Sequence, residues 1–182
     1  MNNTSPKLGR VLITGGCGFI GSNLARRLIA VDACDHIAVI DNESLGNRTV
    51  LDGIDVEFIS GDMRNDEDVR GAVKDMDAVV HLAADTRVLD SIDNPVFNYE
   101  NNVQATFNLL LAMRDLGVER LANASTGGAI LGEVPPPVHE EMVPKPLSPY
   151  GASKLAVEGY CSAFSASYGL KALSMRFSNV YG

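Results

Sequence analysis

Tyr150 and Lys154 stand four positions apart in the run Tyr150-Gly151-Ala152-Ser153-Lys154, directly after Pro149. On a helix that spacing sets both side chains on one face, about one turn apart. An ammonium held beside a phenol favours the phenolate, so the tyrosine pKa is expected to fall from its usual ~10 toward a value useful near neutral pH. A base of this kind can take the proton of a sugar or alcohol hydroxyl while hydride leaves the same carbon. Ser125 and Thr126, at the end of a β-branched run, offer hydroxyls that could orient the substrate oxygen and stabilise the phenolate or the developing alkoxide. Tyr and Lys also meet by chance on helix surfaces, so the weight of the pair rests on its companions.

The first companion is Thr14-Gly15-Gly16-Cys17-Gly18-Phe19-Ile20-Gly21, which follows an apolar run and opens a helical pattern. Gly15 suits the tight strand-to-helix turn, and Gly18 lets backbone approach a pyrophosphate at the positive helix N-terminus. Gly21 is expected to let the helix pack closely on the sheet, with Phe19 and Ile20 between the two glycines at the cofactor. Asp41 ends the next apolar run 20 residues past Gly21, where a carboxylate can bond both ribose hydroxyls of adenosine. It favours NAD over NADP by repelling a 2′-phosphate, and Asn42 can assist at the ribose. Asp62-Met63 suits the adenine amino group and face, although Asp62 is equally suited to cap the following helix. Leu82-Ala83-Ala84 is small enough for backbone to lie along the cofactor, and His81, inside an apolar run, reads as a hydrogen-bonded core residue.

These residues need a scaffold that brings them to one edge. Short apolar runs at Arg10 to Thr14, His36 to Asp41, Val56 to Ser60, Ala78 to Ala83, Arg120 to Ser125 and Ala172 to Phe177 predict six strands. Several lack any alternation, as strands covered on both faces of a parallel sheet do. Between them, Ile20, Leu24, Ala25 and Leu28 make one helical stripe, and Val69, Ala72 and Val73 a second after Asn65. Val103, Phe107, Leu110 and Leu111 make a third, and Tyr150 to Tyr168 a fourth. Alternating strand and helix predicts an α/β fold, a Rossmann-type doubly wound parallel sheet. Thr126 to Pro149, rich in Pro and Gly, is the one long irregular segment and reads as a binding loop.

The 182 residues, 46% hydrophobic, suit one domain over 9–182 behind a flexible tail at 1–8. A net charge of -8 speaks against nucleic acid or an anionic membrane surface as partner. Cys17, Cys34 and Cys161 are too dispersed for a disulfide framework, the three histidines lack metal-ligand spacing, and no apolar run is long enough to span a bilayer. A soluble, cytoplasmic protein without a bound metal is expected.

Together the TGGxGFIG turn, Asp41, Asp62-Met63, His81-Leu82-Ala83-Ala84, Ser125-Thr126, the YxxxK pair and Arg176-Phe177-Ser178-Asn179-Val180-Tyr181-Gly182 resemble the extended short-chain dehydrogenase/reductase family. The likeness is greatest to its NAD-dependent epimerase/dehydratases of nucleotide sugars, of the UDP-glucose 4-epimerase type. It runs from about Gly9 to the last residue. The resemblance implies tightly held NAD as cofactor and a Ser/Thr-Tyr-Lys triad, with Tyr150 as base, Lys154 on the nicotinamide ribose, and Ser125 or Thr126 at the sugar hydroxyl. It further implies Asn102 near the nicotinamide, Thr86 near cofactor and sugar, Asn179 on the phosphate-bearing half of a nucleotide-sugar substrate, and a homodimer through helices 98–116 and 150–168.

The turn after Ser125 departs from the family's SSxxVYG: an extra residue intervenes and Leu131 replaces Tyr. Counting back from Gly132 puts Gly127 at the hydroxyl position, so a neighbour must act, and Thr126 is preferred over Ser125. Gly127-Gly128 after Thr126 also counts against the 4,6-dehydratase branch, which carries Asp-Glu there. Family members continue into a smaller substrate domain, and that C-terminal domain is expected to be absent here. An NAD-dependent nucleotide-sugar dehydratase or oxidoreductase, or a non-catalytic NAD-binding or dimerisation module, is the alternative reading.

Overall fold

The computed structural model describes residues 6–181. Strand β1 (Arg10–Thr14) leads through the glycine turn into α1 (Phe19–Ala30), followed by β2 (His36–Asp41) and a 3-10 turn (Arg48–Leu51). Then come β3 (Glu57–Ser60), α2 (Asp66–Val73) and β4 (Ala78–His81). Two short helices, α3 (Val88–Asp93) and α4 (Pro95–Tyr99), continue through a π-helical stretch (Glu100–Gln104) into α5 (Ala105–Leu116). β5 (Arg120–Thr126), α6 (Gly127–Leu131), α7 (Pro149–Tyr168) and β6 (Lys171–Phe177) follow.

The strands form one sheet in the order β3-β2-β1-β4-β5-β6. Every adjacent pair is parallel, for example Val11 opposite Ile37 and Val11 opposite Ala78. The winding reverses between β1 and β4, so their carboxyl ends open the crevice in which such sheets bind ligands. Burial explains the unbroken apolar runs: Val11 to Ile13 and Ile37 to Ile40 are all at most 3% exposed. Successive side chains point to opposite faces. Leu12, Ala38 and Ile40 pack with Val69 and Val73 of α2, Leu109 and Met113 of α5 and Phe164 of α7. Val11, Ile13 and Val39 pack on the other face with Ala25 of α1 and with Leu51.

Local signals set the helix starts. Asn65 accepts the Glu67 amide at 2.9 Å ahead of an acidic first turn in α2. Ser148 accepts the Gly151 amide at 3.1 Å and Pro149 occupies the first turn of α7. The expected helix 98–116 is present as one continuous run of helical backbone, which widens to π-helical over Glu100–Gln104, where Asn102 turns its side chain to the backbone of Asp85. The irregular segment after Thr126 begins with α6, despite the poor helix propensity of Gly127-Gly128, because Ile130 and Leu131 are buried and Lys145 N–H donates to the Ile130 carbonyl at 3.0 Å. Of the expected tail, residues 1–5 lie outside the described residues. Lys7 and Leu8 are tied down, the first to Asp32 at 2.6 Å and the second by its amide to the Ala33 carbonyl at 2.8 Å. No helix among the described residues is long and apolar enough to cross a membrane.

Candidate active site

At the crevice, Gly15 has φ +69 and a Cβ there would stand 2.7 Å from the Ala83 amide nitrogen. Only glycine fits, and the end of β4 lies directly against the turn as a result. A Cβ on Gly21 would meet Gly16 Cα at 2.6 Å and the Gly15 carbonyl at 2.7 Å. Its close approach is therefore to the turn that directly follows β1. Helix α1 starts from Gly18 without a side-chain cap and without an acidic residue in its first turn. Its leading N–H groups and positive dipole end are suited to an anion.

On one side of the turn, Asp41 Oδ2 accepts the Cys17 amide at 2.9 Å and Oδ1 accepts the Glu43 amide at 2.8 Å. Each oxygen retains a lone pair for a further donor. Burial first, and then the Asp41 carboxylate, push the Cys17 thiol up to about 11, which makes it a packing residue rather than a nucleophile. Asp62 accepts Arg64 Nη2 at 2.7 Å and Asn42 Nδ2 at 3.3 Å, and hydrogen bonding to Arg64 holds its carboxyl down at about 2 despite opposing desolvation. It does not cap α2, whose cap is Asn65. That alternative for Asp62 is overturned.

On the other side, Tyr150 and Lys154 are 8% and 6% exposed. Lys154 Nζ donates to the Ala124 carbonyl at 2.9 Å, and no hydrogen bond joins it to Tyr150. Desolvation pushes the Lys154 ammonium down to about 8, so it is still mostly charged at neutral pH. The expectation of a lowered tyrosine pKa is corrected: burial of the phenol raises it, and the Lys154 ammonium is turned to a β5 carbonyl. Ser125 Oγ donates to Glu158 Oε1 at 2.6 Å. Glu158 in turn takes Arg176 Nη2 at 2.7 Å, and Arg176 Nη1 donates to the Glu140 carbonyl at 3.0 Å. Thr126 stands at the N-cap position of α6 with no side-chain cap bond.

One cavity of about 1320 Å³ opens along the carboxyl edge. Its wall includes Gly15, Gly18, Phe19, Ile20 and Gly21 from the turn, Asp41, Asn42, Asp62 and Met63 from the ends of β2 and β3, and Leu82, Ala83, Ala84 and Thr86 after β4. Ser125, Thr126, Tyr150, Lys154 and Asn179 close the far end. Asn102 is the exception among the expected site residues. It is 2% exposed and absent from the wall, with Oδ1 accepting the Asp85 amide at 2.7 Å and Nδ2 donating to the Asp85 carbonyl at 2.9 Å; its neighbour Asn101 reaches the cavity instead. Sequence reasoning missed Ser44 to Gly46, which continue the loop after Asp41, and Val138 to Glu140, which only the folding back of the Pro-rich loop brings to the wall. It also missed Glu158, although that residue lies one helical turn past Lys154 and so continues the same face.

The fold matches a crystal structure of UDP-glucose 4-epimerase from Thermus thermophilus in complex with NAD, with TM-score 0.90 and 45% identity over 95% of this chain and 56% of that one. It also matches the Thermotoga maritima UDP-glucose 4-epimerase with UDP-glucose, with TM-score 0.89 and 34% identity over 95% of this chain and 56% of that one. In sequence, the UDP-glucose 4-epimerase of Streptomyces lividans is 37% identical over 177 residues, 96% of this chain and 53% of that protein. The chain thus spans about half the length of the curated relatives it matches. The family model for these proteins fits residues 11–182, the whole run from β1 past β6, and the chain accordingly belongs to the NAD dependent epimerase/dehydratase family.

Proposed function

We propose that this chain is the NAD-binding and catalytic portion of a nucleotide-sugar 4-epimerase, with a UDP-sugar as the substrate class. The observation that carries this reading is convergence: a glycine turn with a bare helix N-terminus, the Asp41 carboxylate, and the Tyr150-Lys154 pair share one cavity. The donor set fits NAD. The α1 amides suit the pyrophosphate, and the free lone pairs of Asp41 suit the two adenosine ribose hydroxyls while disfavouring a 2′-phosphate. Bound NAD would supply a hydride acceptor that later returns the hydride.

The chain's own residues do the rest. Tyr150 takes the proton of the sugar hydroxyl and gives it back, with Lys154 as the positive charge that offsets the cost of a buried phenolate. Lys154 would also help hold the nicotinamide ribose. Thr126 hydrogen-bonds the substrate oxygen, because Ser125 has already committed its proton to Glu158. Thr86 and Asn179 line the wall on which the sugar and its phosphates would lie. Val138 to Glu140 of the Pro-rich loop line the same cavity. A homodimer through α5 and α7 fits the exposed Leu116 and Tyr160 on those helices.

Two measurements test the reading. NAD should raise the thermal midpoint of the purified protein while NADP at equal concentration does so much less; no shift with either removes the cofactor. With NAD present, UDP-galactose should give UDP-glucose without net NADH absorbance, and Tyr150→Phe should abolish this while keeping the NAD shift. Accumulating NADH would make the protein an oxidoreductase instead.

A further inference from the structure

Beneath the cavity runs a line of buried polar side chains that the proposed chemistry does not use. Thr14, His81, Asn102, Thr106 and Ser153 are each at most 5% exposed, and none reaches the cavity wall. They belong to β1, β4, the π-helical stretch, α5 and α7. Their hydrogen bonds join end to end. The Leu82 and Ala83 amides donate to Thr14 Oγ1 at 3.2 and 3.1 Å, and Thr14 Oγ1 lies 2.7 Å from His81 Nδ1. His81 Nε2 lies 2.8 Å from Thr106 Oγ1, which donates to the Asn102 carbonyl at 2.6 Å. Asn102 Nδ2 donates to Ser153 Oγ at 3.2 Å, and Ser153 Oγ donates to the Tyr150 carbonyl at 2.8 Å.

Proton counting fixes the direction of every link. The Asn102 carbonyl has no proton to give, so the single proton of Thr106 lies on that contact, and the hydroxyl can only accept from His81 Nε2. Thr14 Oγ1 accepts the Ala83 amide and shares the Leu82 amide with its own backbone carbonyl, and with Nε2 protonated the bare Nδ1 of a neutral ring can only accept, so the Thr14 proton goes to His81 Nδ1. An imidazolium would place a second N–H against the Thr14 hydroxyl and leave that hydroxyl's proton without an acceptor. The amide of Asn102 is fixed in the same way, because the Asp85 N–H must find oxygen. Burial, and then the positive charge of Lys154, hold the imidazole down at about 3, in keeping with a neutral ring.

We propose that His81 is a positioning residue: a neutral, Nε2-protonated imidazole that couples the cofactor turn to the catalytic helix through one directed hydrogen-bond chain. At one end the chain holds Leu82 and Ala83, which lie against Gly15; at the other it holds the first turn of α7, which carries Tyr150. The coupling rests on the NAD reading above; the tautomer does not.

The tautomer is read on the protein labelled with 15N-histidine, from long-range proton–nitrogen spectra at neutral pH. One histidine should show a protonated Nε2 and a bare Nδ1; finding His81 as the Nδ1–H form or as imidazolium overturns the chain. The coupling is read by calorimetry of NAD binding. Thr106→Val keeps the side-chain shape but removes the hydroxyl outside the cavity wall, and it should weaken NAD about fivefold or more. Thr106→Ser, which restores the hydroxyl, should bind within about twofold of the wild type, whereas a loss through packing alone would not be rescued. Should Thr106→Val fail to fold, Ser153→Ala cuts the other end. Unchanged affinity in the hydroxyl-free variant refutes the coupling. A wild type that binds no NAD refutes the cofactor reading and the coupling with it, while the nitrogen spectrum still decides the chain.

Discussion

Lowering the pH from 7 to 5 should destabilise this protein through His81. The imidazole is 2% exposed and sits near 3 in the fold, against an ordinary 6.5 in the unfolded chain. Its folded pKa is depressed, so its contribution is complete above the unfolded value and is lost as pH falls toward the folded one. Between pH 7 and 5 the unfolded chain takes up a proton that the fold refuses, which costs about 2 kcal/mol. Lys154 is the charged group facing His81, and with a folded value of about 8 it is protonated in both states below neutrality. Asp62, held at about 2, exerts its effect at lower pH. Urea titrations at the two pH values should show the midpoint falling by about 1 M in the wild type, taking a slope of about 2 kcal/mol/M. His81→Gln has no imidazole to protonate and should fall by much less, whatever its stability at pH 7. Changes in overall repulsion from the net charge of -8 act on both proteins alike and cancel in the comparison. Parallel falls in wild type and His81→Gln would refute the reasoning.

Glu158→Ala would leave Arg176 without its bidentate partner and Ser125 without an acceptor, and should cost about 3 kcal/mol in urea-measured stability. Gly15→Ala would force a side chain into left-handed backbone and against Ala83, for about 1–2 kcal/mol from the backbone alone, with the NAD-induced thermal shift lost as well. Asp41→Asn removes the charge that would repel a 2′-phosphate, so the ratio of NAD to NADP affinity by calorimetry should fall about tenfold. In an epimerisation assay, Thr126→Val should lower kcat about a hundredfold and Ser125→Ala less than about tenfold; the reverse order would make Ser125 the acting hydroxyl.

What could be read without the fold is what depends on neighbours along the chain. The glycine spacing after β1, Asp41 at the end of β2 and the placement of Tyr150 and Lys154 on one helical face are local geometry, set by backbone sterics and the helical period. The strands were legible because burial on both faces leaves unbroken apolar runs, and strand-helix alternation then dictates the doubly wound order. Asn65 and Ser148 mark their helix starts for the same local reason.

The remainder was decided by residues that meet only when the sheet assembles. Ser125 and Glu158 lie 33 positions apart, and their hydrogen bond, absent from any local pattern, separates the committed hydroxyl from the free one. The direction of the Tyr150 shift follows from burial, and Lys154 turns to a carbonyl of β5, neither of which the spacing of the pair contains. Asn102, expected near the nicotinamide, holds Asp85, because the loop after β4 meets the π-helical stretch and leaves two backbone groups that need a buried partner. His81 read as a core histidine, but its tautomer depends on Thr14 and Thr106 from two other elements. Sequence by itself determined the fold class and which residue types gather at the carboxyl edge. The tertiary structure decided which of their protons and lone pairs remain free for chemistry, since that balance depends on contacts between elements distant in the chain.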